Sequence, residues 1–179
     1  LGAAGYLISQ FLSPLTNQRE DRFGGSFDRR LTFVHELVRG IKQKTGEDFP
    51  LIFRLSSTDN MPGGLDADDE RHVAVKLAEW GVDMLNVTAG WHDSPVHQIG
   101  PSVPHGHFVP LAAKIKQEVN IPVSCAFRIT GPELARHLIE SGQLDMVTTA
   151  RALLADPEWP NKAKAGRDDS IRRCVVCCH

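Results

Sequence analysis

The stretch IPVSCAFRITGPELARHLIESGQLDMVTTAR, residues 121–151, decides how this chain folds. Two short apolar strands, IPVSC at 121–125 and MVTT at 146–149, each deliver an arginine beyond their C-terminal end, Arg128 and Arg151. The segment between them predicts a helix over 132–141, with Gly131 and Pro132 at its start and Gly142 after its end. Strand, helix and strand at this spacing describe a parallel pair joined by a helical crossover. Each arginine alone reads as a surface residue. As a pair at equivalent strand exits, close to helix N-termini, they read as donors converging on one anion, and phosphate suits that chemistry.

The same alternation extends upstream. PLIFRLS at 50–56 and VDMLNVTAG at 82–90 are near-continuous apolar runs, as in parallel strands covered on both faces. Helices are predicted over 27–45, capped by Ser26 with Leu31, Val34, Val38 and Ile41 along one face, and over 67–80, with Val73, Leu77 and Trp80 inward. Further helices are predicted over 108–119 and 156–165. Residues 1–26 read as a long loop punctuated by Gly and Pro, its middle from Asn17 to Arg22 shaped by local ion pairs. A second loop, 91–107, holds His92, His97, His105 and His107.

Strict strand–helix alternation predicts a parallel α/β fold. The candidate functional residues all lie at or after strand ends, the arrangement of the catalytic rim of a (β/α)8 TIM barrel. A complete barrel has eight strands and about 250 residues. Four β/α units in 179 residues make half of one, and residues 1–170 are read as that half. The chain opens on LGAAGYLI without Met and closes on CCH, so both ends are read as cut.

Composition narrows the function classes. A net charge of −2, with no basic run interleaved with aromatics, gives nucleic-acid binding no support. No apolar run approaches the ~20 residues of a membrane span, and the N-terminus has no signal-peptide pattern, so a cytoplasmic protein is expected. Three of the four cysteines, Cys174, Cys177 and Cys178, fall in the last six residues. They cannot staple distant loops, whereas Cys-x-x-Cys suits zinc or an iron–sulfur cluster, with further ligands beyond His179. Residues 171–179 are therefore read as the start of a segment that binds zinc or an iron–sulfur cluster.

Three further residues carry candidate chemistry. Arg54, embedded among Leu51, Ile52, Phe53 and Leu55, needs a partner if buried. A carboxylate such as Asp59 serves, as does an electron-rich ring that becomes anionic in use. Tyr6, the single tyrosine, is either a packing residue or a phenol donating a proton to a developing carbanion. His92, beside Trp91 at a strand exit, is the best placed of the eight histidines to hydrogen-bond a substrate carbonyl. Metal binding by the loop histidines lacks carboxylate partners at ligand spacing.

GYLISQFLSPLTNQREDRFGGS, LIFRLS, NVTAGWHDS, the exit carrying Arg128 and MVTTARALLADPEW together resemble, in order, the old yellow enzyme superfamily of FMN-dependent oxidoreductases. The closing IRRCVVCC is similar to the IRxCIGCN segment of the branch that adds a 4Fe-4S cluster, and GYLI, RLS and GWH most resemble its bacterial 2,4-dienoyl-CoA reductase members. The resemblance implies the C-terminal half of an FMN barrel. It places Tyr6 as proton donor, His92 as its assistant, and Arg54 at the N1 and C2-carbonyl edge of the flavin. Phe127, Arg128, Ala150 and Arg151 fall on the FMN phosphate site, and Cys174 and Cys177 on the first two cluster ligands. It further implies reduction of an activated alkene such as an enoate or a CoA thioester. The electrons would come from NAD(P)H through the cluster from a second, FAD-bearing flavin domain; that domain and the N-terminal half-barrel are the missing partners. The alternatives are amine oxidation of the trimethylamine dehydrogenase type and a non-catalytic half-barrel that binds no flavin.

Overall fold

A computed structural model describes residues 1–95, 100, 102–126 and 128–176. Five parallel strands pair in chain order, β1 (Gly2–Ala3), β2 (Ile52–Ser56), β3 (Met84–Thr88), β4 (Val123–Cys125) and β5 (Met146–Val147). The helices are α1 (Leu7–Leu12), α2 (Phe27–Thr45), α3 (Ala67–Glu79), α4 (Val109–Glu118), α5 (Pro132–Glu140), α6 (Arg151–Ala155) and α7 (Trp159–Lys164), followed by a 3-10 turn at Asp168–Ser170. Sequential parallel order, with a crossover between each pair of strands, winds the chain in one direction, as right-handed βαβ connections do.

The register aligns Arg54 with Asn86, Asn86 with Ser124, and Ser124 with Met146. Side chains alternate across a strand, so Phe53, Leu55, Leu85, Val87, Val123 and Cys125 share the opposite face. That face is fully buried and packs in one core with Leu31, Val34 and Val38 of α2, Val73 and Leu77 of α3, and Ala112 and Ile115 of α4. Ile41 and Trp80 are partly buried against it. Ser26 caps α2 by accepting from the Arg29 N–H, and the Asp66 side chain caps α3 by accepting from the Asp68 and Asp69 N–H groups.

On the other face, Ile52 and Met146 are half exposed in this chain. The 1–26 loop also gains structure: β1 pairs with Arg54 and Leu55, and α1 follows it. Its middle is shaped largely as expected. Arg19 pairs with Asp21, Arg22 is bidentate to Glu36 at 2.7 and 3.1 Å, and the Asn17 amide donates to the Phe11 and Phe23 carbonyls. The helix expected over 156–165 is shortened to α7, and a separate short helix, α6, precedes it; Asp156, which precedes Pro157, is held extended at φ −144° and ψ 96° between them.

The N-terminal ends of the strands carry one device twice. Asp83 donates its N–H to the Leu51 carbonyl, accepts the Leu51 N–H on Oδ2 at 2.7 Å, and pairs with Lys42 of α2 at 2.8 Å. Asp145 repeats this with Val123 (2.9 Å) and with Lys116 of α4. In each case an aspartate opening one strand locks the start of the strand before it.

Candidate active site

At the C-terminal ends of the strands, one cleft gathers six of the nine residues singled out in the sequence. Arg54, His92, Arg128, Ala150, Arg151 and Cys174 all line it. Arg54 comes from β2, His92 from the turn after β3, Arg128 from the turn after β4, and Ala150 and Arg151 from the start of α6. Tyr6 joins them through His92: its Oη lies 2.8 Å from His92 Nε2, with the rings edge to face at 5.6 Å. Phe127 and Cys177 lie outside the described residues, as do Cys178, His179 and His97.

The Tyr6–His92 pair spans 86 positions, and its approach has a backbone cause. Gly5 adopts φ +79°, and a Cβ there would stand 3.3 Å from the Trp91 Cβ. A side chain at position 5 would therefore meet both a left-handed backbone and the turn that carries His92. The Tyr6 carbonyl then opens α1, accepting from Gln10 N–H at 2.9 Å and Ser9 Oγ at 2.8 Å. Arg30, nearly buried, closes the far end of α1 by donating to the Leu12 carbonyl at 2.7 Å.

Asp59 connects both segments, a role no sequence signal pointed to. It is fully buried and accepts on Oδ2 from Ser13 Oγ and from the Leu65 N–H, each at 2.7 Å. Its carbonyl accepts from Ser94 Oγ at 2.8 Å, and the same Oγ accepts the Trp91 N–H at 2.6 Å. Ser13 follows the helix that Tyr6 opens, and Trp91 precedes His92. Burial raises the Asp59 carboxyl, outweighing the bonds from Ser13, Leu65 and Trp91 that lower it. Glu70, almost completely buried on α3, is raised well above the ordinary carboxylate range, by burial first and then by Asp59 and Asp69.

Of the two partners considered for Arg54, the carboxylate of Asp59 is not the one it meets here. Alternation along β2 turns Arg54 away from the core face, where it is exposed to the cleft, and Asp59 is engaged elsewhere. Beneath Arg54, Asn86 donates to Ser124 Oγ and Thr148 Oγ1, both at 2.9 Å, making a polar layer across β3, β4 and the exit of β5. The polar Asn86 within MLNVT was the available sign of an inward-facing polar position.

Arg128 is 8% exposed and takes φ +51°, a left-handed conformation that is rare outside glycine, and its Nη1 donates to the Gly100 carbonyl at 3.1 Å. The cleft therefore offers cations from three strand ends and a constrained backbone turn, a donor set that fits an anionic phosphate together with a ring that becomes negative. Cys174 is half buried, and its Sγ accepts the Val176 N–H at 3.4 Å, with Val176 at φ +56°. A backbone N–H thus fixes the position of the sulfur, and a sulfur oriented in this way fits a ligating cysteine. Among the described residues no group of three or more His, Cys, Asp or Glu side chains is gathered for a metal. Among them also, no helix is long and apolar enough to cross a membrane.

The chain is 45% identical over 177 residues to a metal reductase of Desulforamulus reducens, covering 99% of this chain and 26% of that protein. It is 46% identical over 177 residues to an NADH oxidase of Thermoanaerobacter brockii, covering 98% and 27%. A solved structure of 2-naphthoyl-CoA reductase with 2-naphthoyl-CoA superposes with a TM-score of 0.95 at 36% identity, covering 99% of this chain and 27% of that one. The chain thus spans about a quarter of the length of these relatives, and its five sequential parallel strands are part of a (β/α)8 barrel. The family model for the NADH:flavin oxidoreductase / NADH oxidase family matches residues 1–170, and the chain belongs to that family.

Proposed function

We propose that this chain forms the C-terminal part of an FMN-dependent oxidoreductase that reduces an activated C=C bond, such as that of an enoate or a 2,4-dienoyl-CoA, with electrons from NAD(P)H. The observation that carries the reading is the Tyr6–His92 hydrogen bond of 2.8 Å at the wall of a cleft lined by Arg54, Arg128 and Arg151. Arg128, Arg151 and the Ala150 backbone would hold the phosphate, and Arg54 would stabilise the negative charge that the reduced ring gains. Bound there, FMN would supply the hydride.

The chain's own residues supply the proton. With Nε2–H of His92 donating to Tyr6 Oη, the phenolic hydrogen is left to turn toward a substrate carbon. As that carbon takes the proton, the same Nε2–H stabilises the phenolate oxygen left behind.

Cys174, with Cys177, would ligate a 4Fe-4S cluster next to the cleft, passing electrons from a separate FAD-bearing domain. The N-terminal half of the barrel would cover the half-exposed face of Ile52 and Met146.

The visible spectrum of the intact protein tests the cofactors: flavin peaks with a broad iron–sulfur shoulder are expected, and a colourless protein refutes the reading. Tyr6→Phe should slow alkene reduction by about 10²–10⁴-fold and leave flavin reduction by NAD(P)H intact. Equal loss in both half-reactions would remove the proton-donor role.

A further inference from the structure

We propose that His105 is the positioning residue of the phosphate end of the cleft, locking the turn after β4 so that its backbone and Arg128 are presented to the ligand. The proposal rests on the flavin-phosphate reading above and adds to it a residue that does not line the cleft.

The turn at 128–130 forms one wall of the cleft. Behind it lies a smaller recess lined by His105, Thr130, Gly131, Glu133, Leu134 and Arg173. A non-glycine residue in the left-handed region is strained and persists only where its surroundings over-determine it. Here the surroundings can be named. His105 Nδ1 lies 2.8 Å from the Arg128 carbonyl oxygen. A carbonyl can only accept, so Nδ1 carries the hydrogen and the tautomer is set by this bond. Thr130 Oγ1 stands 3.2 Å from the same nitrogen, and Trp159 Nε1 of α7 donates to the Thr130 carbonyl at 3.0 Å.

Peptide planarity converts these anchors into direction. In a trans peptide the C=O and the following N–H point opposite ways. Drawing the Arg128 carbonyl back toward His105 turns the Ile129 N–H away from it, toward the cleft that Ile129 lines. A left-handed residue followed by an inward N–H is the geometry from which anion-binding backbone concavities are made. The Arg128 guanidinium is meanwhile tethered to the Gly100 carbonyl, in the loop that carries His105. One loop thus fixes both the backbone and the side chain of the turn.

The test uses the intact flavoprotein, stripped of flavin and titrated separately with FMN and with riboflavin, which lacks the phosphate. Wild type should bind FMN more tightly than riboflavin. His105→Ala should raise the Kd for FMN about fivefold to tenfold, the effect of one hydrogen bond, and leave the Kd for riboflavin unchanged. His105→Asn, whose amide nitrogen stands where Nδ1 does, should restore FMN binding. His105→Gln, with its amide nearer the Nε2 position, should lose the same factor as Ala and serves if the Ala variant does not fold. Equal loss for both flavins, no loss, or no rescue by Asn overturns the positioning role while the flavin-phosphate reading stands. A wild type that does not distinguish FMN from riboflavin overturns that reading, and the inference with it.

Discussion

Replacing Ser13 by Ala isolates the anchor that joins the Tyr6 and His92 segments. Ser13 is fully buried, its backbone at φ −73° and ψ 129° suits alanine, and its main-chain bonds are untouched by the change. What is lost is the 2.7 Å bond from Oγ to Asp59 Oδ2. A bond to an ionised group contributes about 1.5–3 kcal/mol, against about 0.5–1.5 kcal/mol for a neutral pair. The Asp59 carboxyl is already raised by burial, and Ser13 is one of the groups holding it down. Removing that group raises it further. An acid raised in the folded state gives up its proton first when unfolded, so the fold loses stability as pH rises past the unfolded value. The cost of Ser13→Ala should therefore grow with pH, from the neutral-pair figure in acid to the charged-pair figure once Asp59 ionises. Urea denaturation at a series of pH values measures it, and the upper figure corresponds to a fall in Tm of roughly 6–12 °C for a domain of this size. A cost that is flat with pH, or below about 0.5 kcal/mol throughout, would show that Asp59 is not held as an acceptor by Ser13.

Glu70→Gln should stabilise the fold increasingly as pH rises above the ordinary carboxylate value, because burial, and then Asp59 and Asp69, make the carboxyl resist ionisation and the amide carries no charge; parallel urea curves that fail to separate as pH rises would refute this. Asp83 and Asp145 are lowered by contrast, Asp83 chiefly by Lys42 and the Leu51 N–H, and Asp145 by Lys116 and the Val123 N–H against an opposing burial effect. Their contribution is present above the ordinary carboxylate value and lost as pH falls through the lowered one, so the double variant Asp83→Asn, Asp145→Asn should flatten the acid limb of a stability–pH curve. Gly24→Ala should cost about 1–3 kcal/mol, since a Cβ there would fall 2.2 Å from the Arg19 carbonyl oxygen, and an unchanged denaturation midpoint would count against that packing.

The elements most legible in the sequence are those where period and punctuation agree. Ser26, the apolar stripe from Leu31 to Val38 and Gly46 delimit α2, and the run LIFRLS delimits β2. β1 was not legible because it is two small residues, Gly2 and Ala3, with no alternation to detect; the partner strand makes it a strand. α1 was missed for a related reason: six residues, no capping side chain and a glycine just ahead leave too little pattern. At the site, strand exits placed Arg54, His92, Arg128 and Arg151 on one rim, because in a parallel sheet all C-terminal ends face one way. The support beneath them depends on contacts between distant segments. Asp59 meets Ser13 across 46 positions, and His105 meets Arg128 across 23, distances that no local spacing reports. Glu70 did leave a trace, as a carboxylate in step with Val73, Ala74 and Leu77 on the inward face of α3.

The two aspartate–lysine locks lie at the end of the sheet opposite the cleft, and this separates inheritance from innovation. Strand registration is secured by Asp83 with Lys42 and by Asp145 with Lys116, so it makes no demand on what the rim loops contain. Insertions or exchanges around His92, His105 or Arg128 can then alter ligand preference without shifting one strand against the next. A library that keeps four locking side chains and randomises the rim samples new chemistry on a frame that stays in register.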